Sequence, residues 1–463
     1  MSSSQDAPEQ AHRSSNEPRR LFLLLAPILF AAYALLTPPF QTFDENQHVY
    51  RAWQISSLQF TGERRGPQSG GELPPGLGKA TYREIGSLVP QGEREAVVRP
   101  LSEIFSWKTP IGVDEPKVYY NFFGAVMYPP VGYLPQVIAI RIGEISGLSV
   151  EWTVRLGRLL NCILCISLIS WALKLLPFGR WAMATIALLP PTAAYAASFG
   201  QDSLIIGGVF ILTALGLKIS VEKRWTPVGT LILASAGILV TVSKVVYLPL
   251  VAVAALPKPR EIAWHRWFWR PAAMAAVSVI FLATWMRVNA HVVVPFRPWL
   301  PSVSEQAHWM AANPIEFIAI LGRTFIVLLP DMWADLYRYG DSTVPLNLIA
   351  AIAGTASIFA IMAYGERPAT ALTRIRRIWM LCIVAGVALL VATALFVSYT
   401  PRGDLVILGI RARYFLPTLP LFVIALMRRG GEESRILLKA AIVLAMTSHA
   451  AALGTIGATF YSI

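Results

Sequence analysis

Runs of about 17–25 apolar residues recur along most of this chain, and a run of that length is what a helix needs to cross a hydrocarbon core of about 30 Å. Of the 463 residues, 55% are hydrophobic and 14% charged. A soluble protein of ordinary composition carries about 25% charged residues. The runs are continuous rather than alternating, which excludes a transmembrane barrel. The expected class is therefore an all-α polytopic membrane protein.

Residues 21–37 form the first expected span, behind a polar, disordered cytoplasmic tail at 1–20 that carries Arg13, Arg19 and Arg20. No small-residue cleavage pattern follows the apolar run, so it reads as a retained anchor rather than a signal peptide. Further spans are expected at 158–176, 181–198, 203–220, 226–242, 245–257, 270–288, 345–364, 378–399, 412–427 and 436–458. Basic residues cluster at Lys174 with Arg180, Lys218 with Lys223 and Arg224, Lys258 through Arg270, Arg367 through Arg377, and Arg428 with Arg429. All five clusters fall on one side if 126–143 and 315–330 do not cross. Positive-inside orientation then gives one membrane domain, 21–463, with about 11 spans (range 10–13), its N-terminus cytoplasmic and C-terminus outside. The setting expected is a cytoplasmic membrane. A long first extracytoplasmic loop, 41–157, and a second large outer segment, 289–344, follow from this topology. Within the first, 61–71 reads as mobile loop, and the proline-punctuated 126–135 reads as interfacial or re-entrant helix.

The formal net charge of +13 would suggest nucleic acid in a soluble chain, but the clustering of basic residues between spans accounts for it. Cys162, Cys165 and Cys382 all lie in apolar segments and form no disulfide or metal pattern. Walker, His-Glu-x-x-His and Gly-x-Ser-x-Gly motifs are absent.

With this topology the isolated charges near membrane edges collect on the outer side: Asp44, Glu45, His48, Asp202, Lys244, Asp404, Arg411 and Arg413. Ionisable groups in such places survive mainly where they line a wet cavity or do chemistry. Thr42 caps a helix expected to open at Phe43, with Glu45 completing a Thr-x-x-Glu box. On that helix Asp44, His48 and Arg51 share a face. Asp44 and Glu45 are thus candidate catalytic carboxylates, and His48 and Arg51 candidate orienting groups. The structural alternatives are that Glu45 only caps and that Asp44 favours the positive helix end while pairing with His48 or Arg51. Asp202 either orients an acceptor or caps the helix starting at Ser203. Lys244 calls for a partner, with a lipid phosphate and Asp202 as candidates, or it snorkels to headgroups. Arg411 and Arg413 suit phosphate, and Tyr414 and Phe415 either flank a tail or sugar or anchor the interface. Tryptophans at 264–333 read mainly as interface anchors, those from 289 onward also as sugar-stacking surfaces.

Pro38-Pro39-Phe40-Gln41-x-x-Asp44-Glu45-x-x-His48-x-x-Arg51-Ala52, the later Asp202, Lys244 with Tyr247, and Arg413-Tyr414-Phe415-Leu416-Pro417 together resemble the bacterial membrane family named domain of unknown function 2142, from about residue 20 to 425. Phe43 replaces the proline expected before Asp-Glu. Gly409-Ile410-Arg411-Ala412 replaces a Gln-Gly-Arg approach to the last arginine. The resemblance implies a C-type (GT-C-like) glycosyltransferase that works at the outer membrane face with a polyprenyl-phosphate sugar donor. It also implies an acidic residue of the first outer loop acting near the acceptor, a position held here by Asp44 with Glu45.

The expected reaction is an inverting transfer to an extracytoplasmic glycan, lipid or protein acceptor. Asp44 takes the acceptor proton, Arg413 with Arg411 or Lys244 holds the leaving phosphate, and Tyr247 and Tyr414 contact donor lipid or sugar. No cofactor is required; a divalent Mg or Mn at Asp44, Glu45 or Asp202 is compatible. The alternatives are a transporter or flippase of lipid-linked sugars, or a polymerase or ligase of lipid-linked glycans.

Overall fold

The computed structural model describes residues 6–86, 97–106, 108–222, 225–256, 264–295, 300–340, 344–364, 372–428 and 433–462. Lys223, Arg224, Lys258, Arg260, Arg367, Arg429 and Trp299, named above, lie outside the described residues.

The chain opens on α1 (Asp6–Leu36), which reaches back into the segment expected as a tail. A cap follows: α2 (Glu45–Ser56), β1 (Glu63–Arg65), β2 (Gln68–Leu73), α3 (Gly76–Ile85), β3 (Arg99–Pro100), β4 (Val118–Asn121) and α4 (Leu134–Ile145). The bundle continues with α5 (Val150–Leu175), α6 (Arg180–Ala187), α7 (Pro190–Ala196), α8 (Asp202–Glu222) and α9 (Pro227–Ser243). A 3-10 helix, Val245–Ala255, leads to α10 (Trp264–Val288), α11 (Val303–Ala312), α12 (Pro314–Leu336) and α13 (Leu348–Ala363). The chain closes with α14 (Arg374–Tyr399), α15 (Leu419–Leu426), α16 (Arg435–Phe460) and β5 (Tyr461–Ser462).

Among the described residues six helices are long and apolar enough to cross a membrane: Asn16–Leu36, Val150–Leu175, Asp202–Glu222, Trp267–Val288, Arg374–Tyr399 and Arg435–Phe460. Shorter apolar helices cover Pro227–Ser243, Val245–Ala255, Leu348–Ala363 and Ala412–Leu426. The molecule is a mostly helical, multi-pass membrane protein. α8 is apolar all round and buried on nearly every face, so it forms the centre of the bundle. The α6–α7 pair breaks at Leu188-Leu189-Pro190, and His449 of α16 meets the freed Leu188 carbonyl at 2.7 Å. Its other ring nitrogen meets the Tyr33 hydroxyl at 3.2 Å, so the break is satisfied within protein, as the membrane interior requires.

The cap differs from expectation. Residues 61–71, read as mobile loop, form the β1–β2 hairpin, and β2 pairs antiparallel with β4. Gly66 turns the hairpin at φ +61°, where glycine carries no steric penalty. On β2 Ser69, Gly70, Gly71 and Leu73 are buried and Gln68 and Glu72 exposed, so no strict alternation marks the strand in the sequence. The all-α class holds, with the short strands confined to the cap and the chain's last residues. α4, with 12 residues, rises only about 18 Å and is too short to span. α12 is a continuous 23-residue helix, and its exposed Ile315, Ile318, Ile326 and Leu329 oppose a polar face.

The bundle has two distinct ends. At one, Arg376 donates to Ser220 O (2.8 Å), Arg377 to the carbonyls of Ala425 and Met427 (2.6 and 2.7 Å), and Ser434 N to Tyr364 O (3.2 Å). Arg19 reaches Ser170 Oγ (2.9 Å), tying the lower parts of α1 and α5 together. At the other end β5 pairs in parallel with β3, so the C-terminal strand is fastened to the cap.

One guanidinium sets how the cap leaves α1. Arg158, 0% exposed, spends its donors on Glu45 Oε1 and Oε2 (2.7 and 2.5 Å) and on the carbonyls of Ala34, Thr37 and Pro38 (3.1, 2.5 and 2.9 Å). Glu45 Oε1 also accepts from Phe199 N (3.1 Å). The helix terminus at Leu36, the 37–44 turn and the start of α2 are thereby locked to α5 and to the approach to α8. That lock holds Phe40 (φ +66°) and Asp44 (φ +52°) in left-handed conformations, which are costly for a bulky phenylalanine and tolerated by aspartate. The capping box expected at Thr42 is replaced: α2 starts at Glu45, Asp44 is the N-cap, and the Glu45 carboxylate faces Arg158. Thr42 N keeps only a 3.5 Å contact to Glu45 Oε2.

Arg158→Met takes the cation from a buried carboxylate and the donor from the Ala34 and Thr37 carbonyls, while Pro38 O keeps Gln41 N, and a loss of about 3–5 kcal/mol is expected. Equilibrium unfolding in detergent micelles measures it. A change below about 1 kcal/mol, the scale of a solvated pair, would contradict the lock.

Candidate functional site

Three ion pairs meet at the cap end of the bundle, each joining parts of the chain far apart in sequence. Arg413 Nη2 donates to Asp44 Oδ2 in a short contact. Lys244 Nζ donates to Asp202 Oδ1 at 2.8 Å. Arg411 Nη1 donates to Asp335 Oδ1 at 3.2 Å, and Asp335 Oδ2 accepts from Ala412 N at 2.7 Å. Asp44 comes from the locked turn, Asp202 from the first residue of α8, and Lys244 from the extended link between α9 and the 3-10 helix. Asp335 is the penultimate residue of α12, Arg411 precedes a 3-10 turn at Ala412–Tyr414, and Arg413 is the middle residue of that turn.

Aromatic rings fill the space between them. Arg413 lies over Phe43 (5.0 Å) and Tyr414 (5.5 Å), and Phe43 stacks on Tyr195 at 5.7 Å. Tyr247 donates to the Tyr414 carbonyl at 3.1 Å. His48 stacks on Tyr128 at 5.7 Å, and its Nδ1 meets the Tyr133 hydroxyl at 2.7 Å. A methyl group at Gly200 would touch Asp202 Oδ2 at 3.4 Å and the His48 ring at 3.5 Å, so glycine there leaves room for the two to face one another.

The Asp44 side chain is 47% exposed while its partner Arg413 is 13% exposed. Arg413, His48 and Lys244 all bear on Asp44, so its exposed side faces the space that these groups border. Burial works against its ionisation, and the Arg413 charge and hydrogen bond, helped by His48 and Lys244, outweigh it. The carboxyl is held below its ordinary range. Burial and then the Lys244 charge push His48 down to about 4, against weaker opposing effects of Asp202 and Asp44. His48 is therefore neutral at physiological pH and acts as a hydrogen-bonding ring, not a cation. Burial raises the Tyr128 and Tyr133 hydroxyls, which stay protonated donors.

Eight of the ten residues singled out from the sequence meet here: Asp44, His48, Asp202, Lys244, Tyr247, Arg411, Arg413 and Tyr414. Lys244 takes Asp202, one of the partners named for it. Two residues do not join them. Glu45, 1% exposed, is given over to Arg158 and Phe199 N. Arg51 points away from Asp44 and donates to the carbonyls of Tyr128 (2.9 Å) and Phe60 (2.8 Å) and to Gln54, as a brace within the cap. Asp404 lines a different cavity. The sequence reading missed Asp335, Tyr128, Tyr133 and Tyr195. Only the high cost of an aspartate near an apolar helix end could have pointed to Asp335. Among the described residues, no three His, Cys, Asp or Glu side chains are grouped to hold a metal ion. Asp44 and Asp202 each already face a protein cation.

The His48 assignment predicts an NMR titration of the imidazole, identified by its loss in His48→Gln, with a midpoint near 4 and a neutral ring at pH 6. A midpoint near the ordinary value of 6.5 would contradict it. The sign for stability follows. The unfolded imidazole binds a proton below about 6.5 and the folded one only near 4, so His48 lowers stability progressively as pH falls across that window.

No curated protein and no solved structure matches this chain. The family model described as a predicted membrane protein, DUF2142, matches residues 26–422, most of the chain and every residue of the three ion pairs. The chain belongs to the DUF2142 family of membrane proteins.

Proposed function

We propose that this chain is a GT-C-like membrane glycosyltransferase that moves a sugar from a polyprenyl-phosphate donor to an acceptor hydroxyl, with inversion. The observation that carries the reading is the Asp44–Arg413 contact: a cleft-facing carboxylate held by the side chain best suited to phosphate. The concentration of basic residues at the far end favours placing that end in the cytoplasm and this site at the outer face. The four shorter apolar helices and the broken α6–α7 pair lie where the sequence places further crossings, which is compatible with the eleven spans proposed.

In this mechanism the donor phosphodiester binds Arg413 and draws it from Asp44, with Lys244 as the second cation. Losing its partner raises the basicity of Asp44 just when a base is needed. The acceptor oxygen attacks the anomeric carbon, the bond from that carbon to the phosphate oxygen breaks, and the electron pair leaves with the lipid phosphate. The acceptor proton passes to Asp44 and later to water. His48, neutral and fixed by Tyr133, together with Asp202, orients the acceptor. Tyr414 and Tyr247 line the donor side. Glu45 is assigned structure rather than chemistry. A divalent cation would have to take Asp44 and Asp202 from Arg413 and Lys244, so the reaction proposed needs none.

The test is turnover of a panel of polyprenyl-phosphate sugars in proteoliposomes. Asp44→Asn is expected to lower the rate by about 10²–10⁴-fold. Chelation by EDTA is expected to leave it unchanged. Unimpaired turnover in Asp44→Asn would remove the proposed base. Passage of labelled lipid across the bilayer without cleavage would replace the reading with a flippase, and chain-length products would replace it with a polymerase.

A further inference from the structure

A second polar cavity lies away from the three ion pairs, between α11, α12, the end of α14 and the loop that follows it. It has a volume of about 120 Å³, opens to the surface, and is lined by Gln306, Trp309, Glu316, Arg323, Arg402 and Asp404, with Ile320 and Phe396 among its apolar residues. Along α12 it is roughly 18 Å from Asp335 at 1.5 Å per residue, so it is separate from the Asp44 site.

Its walls are built. Ser302 and Glu305 form a complete capping box that starts α11, with Glu305 N donating to Ser302 Oγ (3.2 Å) and Ser302 N to Glu305 Oε2 (2.8 Å). Gln306 and Trp309, three apart, then face the same way. Trp309 leans on Phe396 at 5.6 Å. On α12, Glu316, Ile320 and Arg323 share one face. The loop is tied down by Ile407 N donating to Thr324 Oγ1 (2.9 Å) and Leu408 N to Thr400 Oγ1 (3.2 Å).

Two features point to a ligand. Gln306 is 1% exposed; its Nε2 reaches only Thr400 O at 3.4 Å, and its Oε1 has no partner among the described residues. A buried amide left half-paired beside a cavity costs about 1–3 kcal/mol unless something fills the gap. The four charges at the rim, two of each sign, make no ion pair with each other or with any other described residue. Their sum is zero, which disfavours a phosphate or polyanion. Arg323 Nη1 reaches only the Leu405 carbonyl, at 3.4 Å, so an indole wall beside carboxylates without an ion pair, guanidinium groups with donors to spare and a half-paired amide suits a ring with apolar C–H faces and an equatorial fringe of hydroxyls, each both donor and acceptor. At about 120 Å³ the cavity is smaller than the about 150 Å³ that admits benzene, but it is open to the surface, so a pyranose would seat one face against the indole and leave its outer hydroxyls in solvent.

We infer that this cavity binds one neutral pyranose unit of a glycan. The inference stands whether or not the Asp44 site transfers sugar, because it is read by binding alone.

The experiment is saturation-transfer NMR on the full chain in nanodiscs, with methyl glucoside, methyl galactoside and methyl mannoside as probes. Saturable binding of at least one is expected, with a Kd of about 1–10 mM, the usual strength of a single small polar contact set. Trp309→Ala is expected to weaken it at least about tenfold. Asp404→Asn, a loop substitution that leaves the helices intact, is expected to weaken it as well. No saturable binding of any of the three would overturn the inference. So would binding that both variants retain, or binding lost in Asp44→Asn and kept in Trp309→Ala, which would put the sugar at the other site.

Discussion

Everything at the cap end depends on how Arg158 is satisfied. A guanidinium buried at the head of α5 has five donors to place, and here the five acceptors are two carboxylate oxygens and three carbonyls from the frayed end of α1 and the turn after it. Those carbonyls are what a helix end leaves without partners. A single side chain thus closes α1, opens α2 and fixes the angle between them. It also offsets the desolvation of the Glu45 carboxylate, which is 1% exposed. The two left-handed residues in the turn are held in place by the surrounding lock. Backbone strain of this kind gathers at functional sites, and Asp44 is where it gathers here.

From that turn the charges are arranged in neutral pairs. Asp44 with Arg413, Asp202 with Lys244, and Asp335 with Arg411 leave no net charge in a poorly solvated cleft, which is how such groups are tolerated near a membrane. The three pairs differ in readiness to open. Asp335 is pinned by Ala412 N as well as by Arg411. Lys244 and Asp202 are mostly covered, at 10% and 17% exposure. Of the three carboxylates only Asp44 is broadly exposed, at 47% against 17% for Asp202 and 10% for Asp335. An arriving anion can therefore compete for Arg413 at little structural cost, and the rings of Phe43 and Tyr414 hold the guanidinium in place while it changes partners.

Much of this was legible in the sequence, and the reasons for the rest are specific. Asp44, Asp202, Lys244, Arg411 and Arg413 stood out because charge next to an apolar run is costly, and the topology that gathers basic clusters at one end gathers these at the other. Spacing on a presumed helix misled for Arg51 and Glu45. The helix begins two residues later than the Thr42 cap implied, because a distant arginine outcompetes the local capping bond. Arg158 carried a signal that was overlooked, since an arginine three residues after Arg155 at the head of an apolar run must have a buried partner. The β1–β2 hairpin hid behind charge and glycine, with no strict alternation to mark it. Asp335 belongs to a helix whose polar face is defined only by what packs on it.

The direct test of this account is a cryo-EM structure of the protein in nanodiscs with a polyprenyl phosphate bound. The account predicts phosphate oxygens within hydrogen-bond distance of Arg413, with the Asp44 carboxylate released from that guanidinium and free in the cleft. A closed Asp44–Arg413 pair with the phosphate seated elsewhere would contradict it.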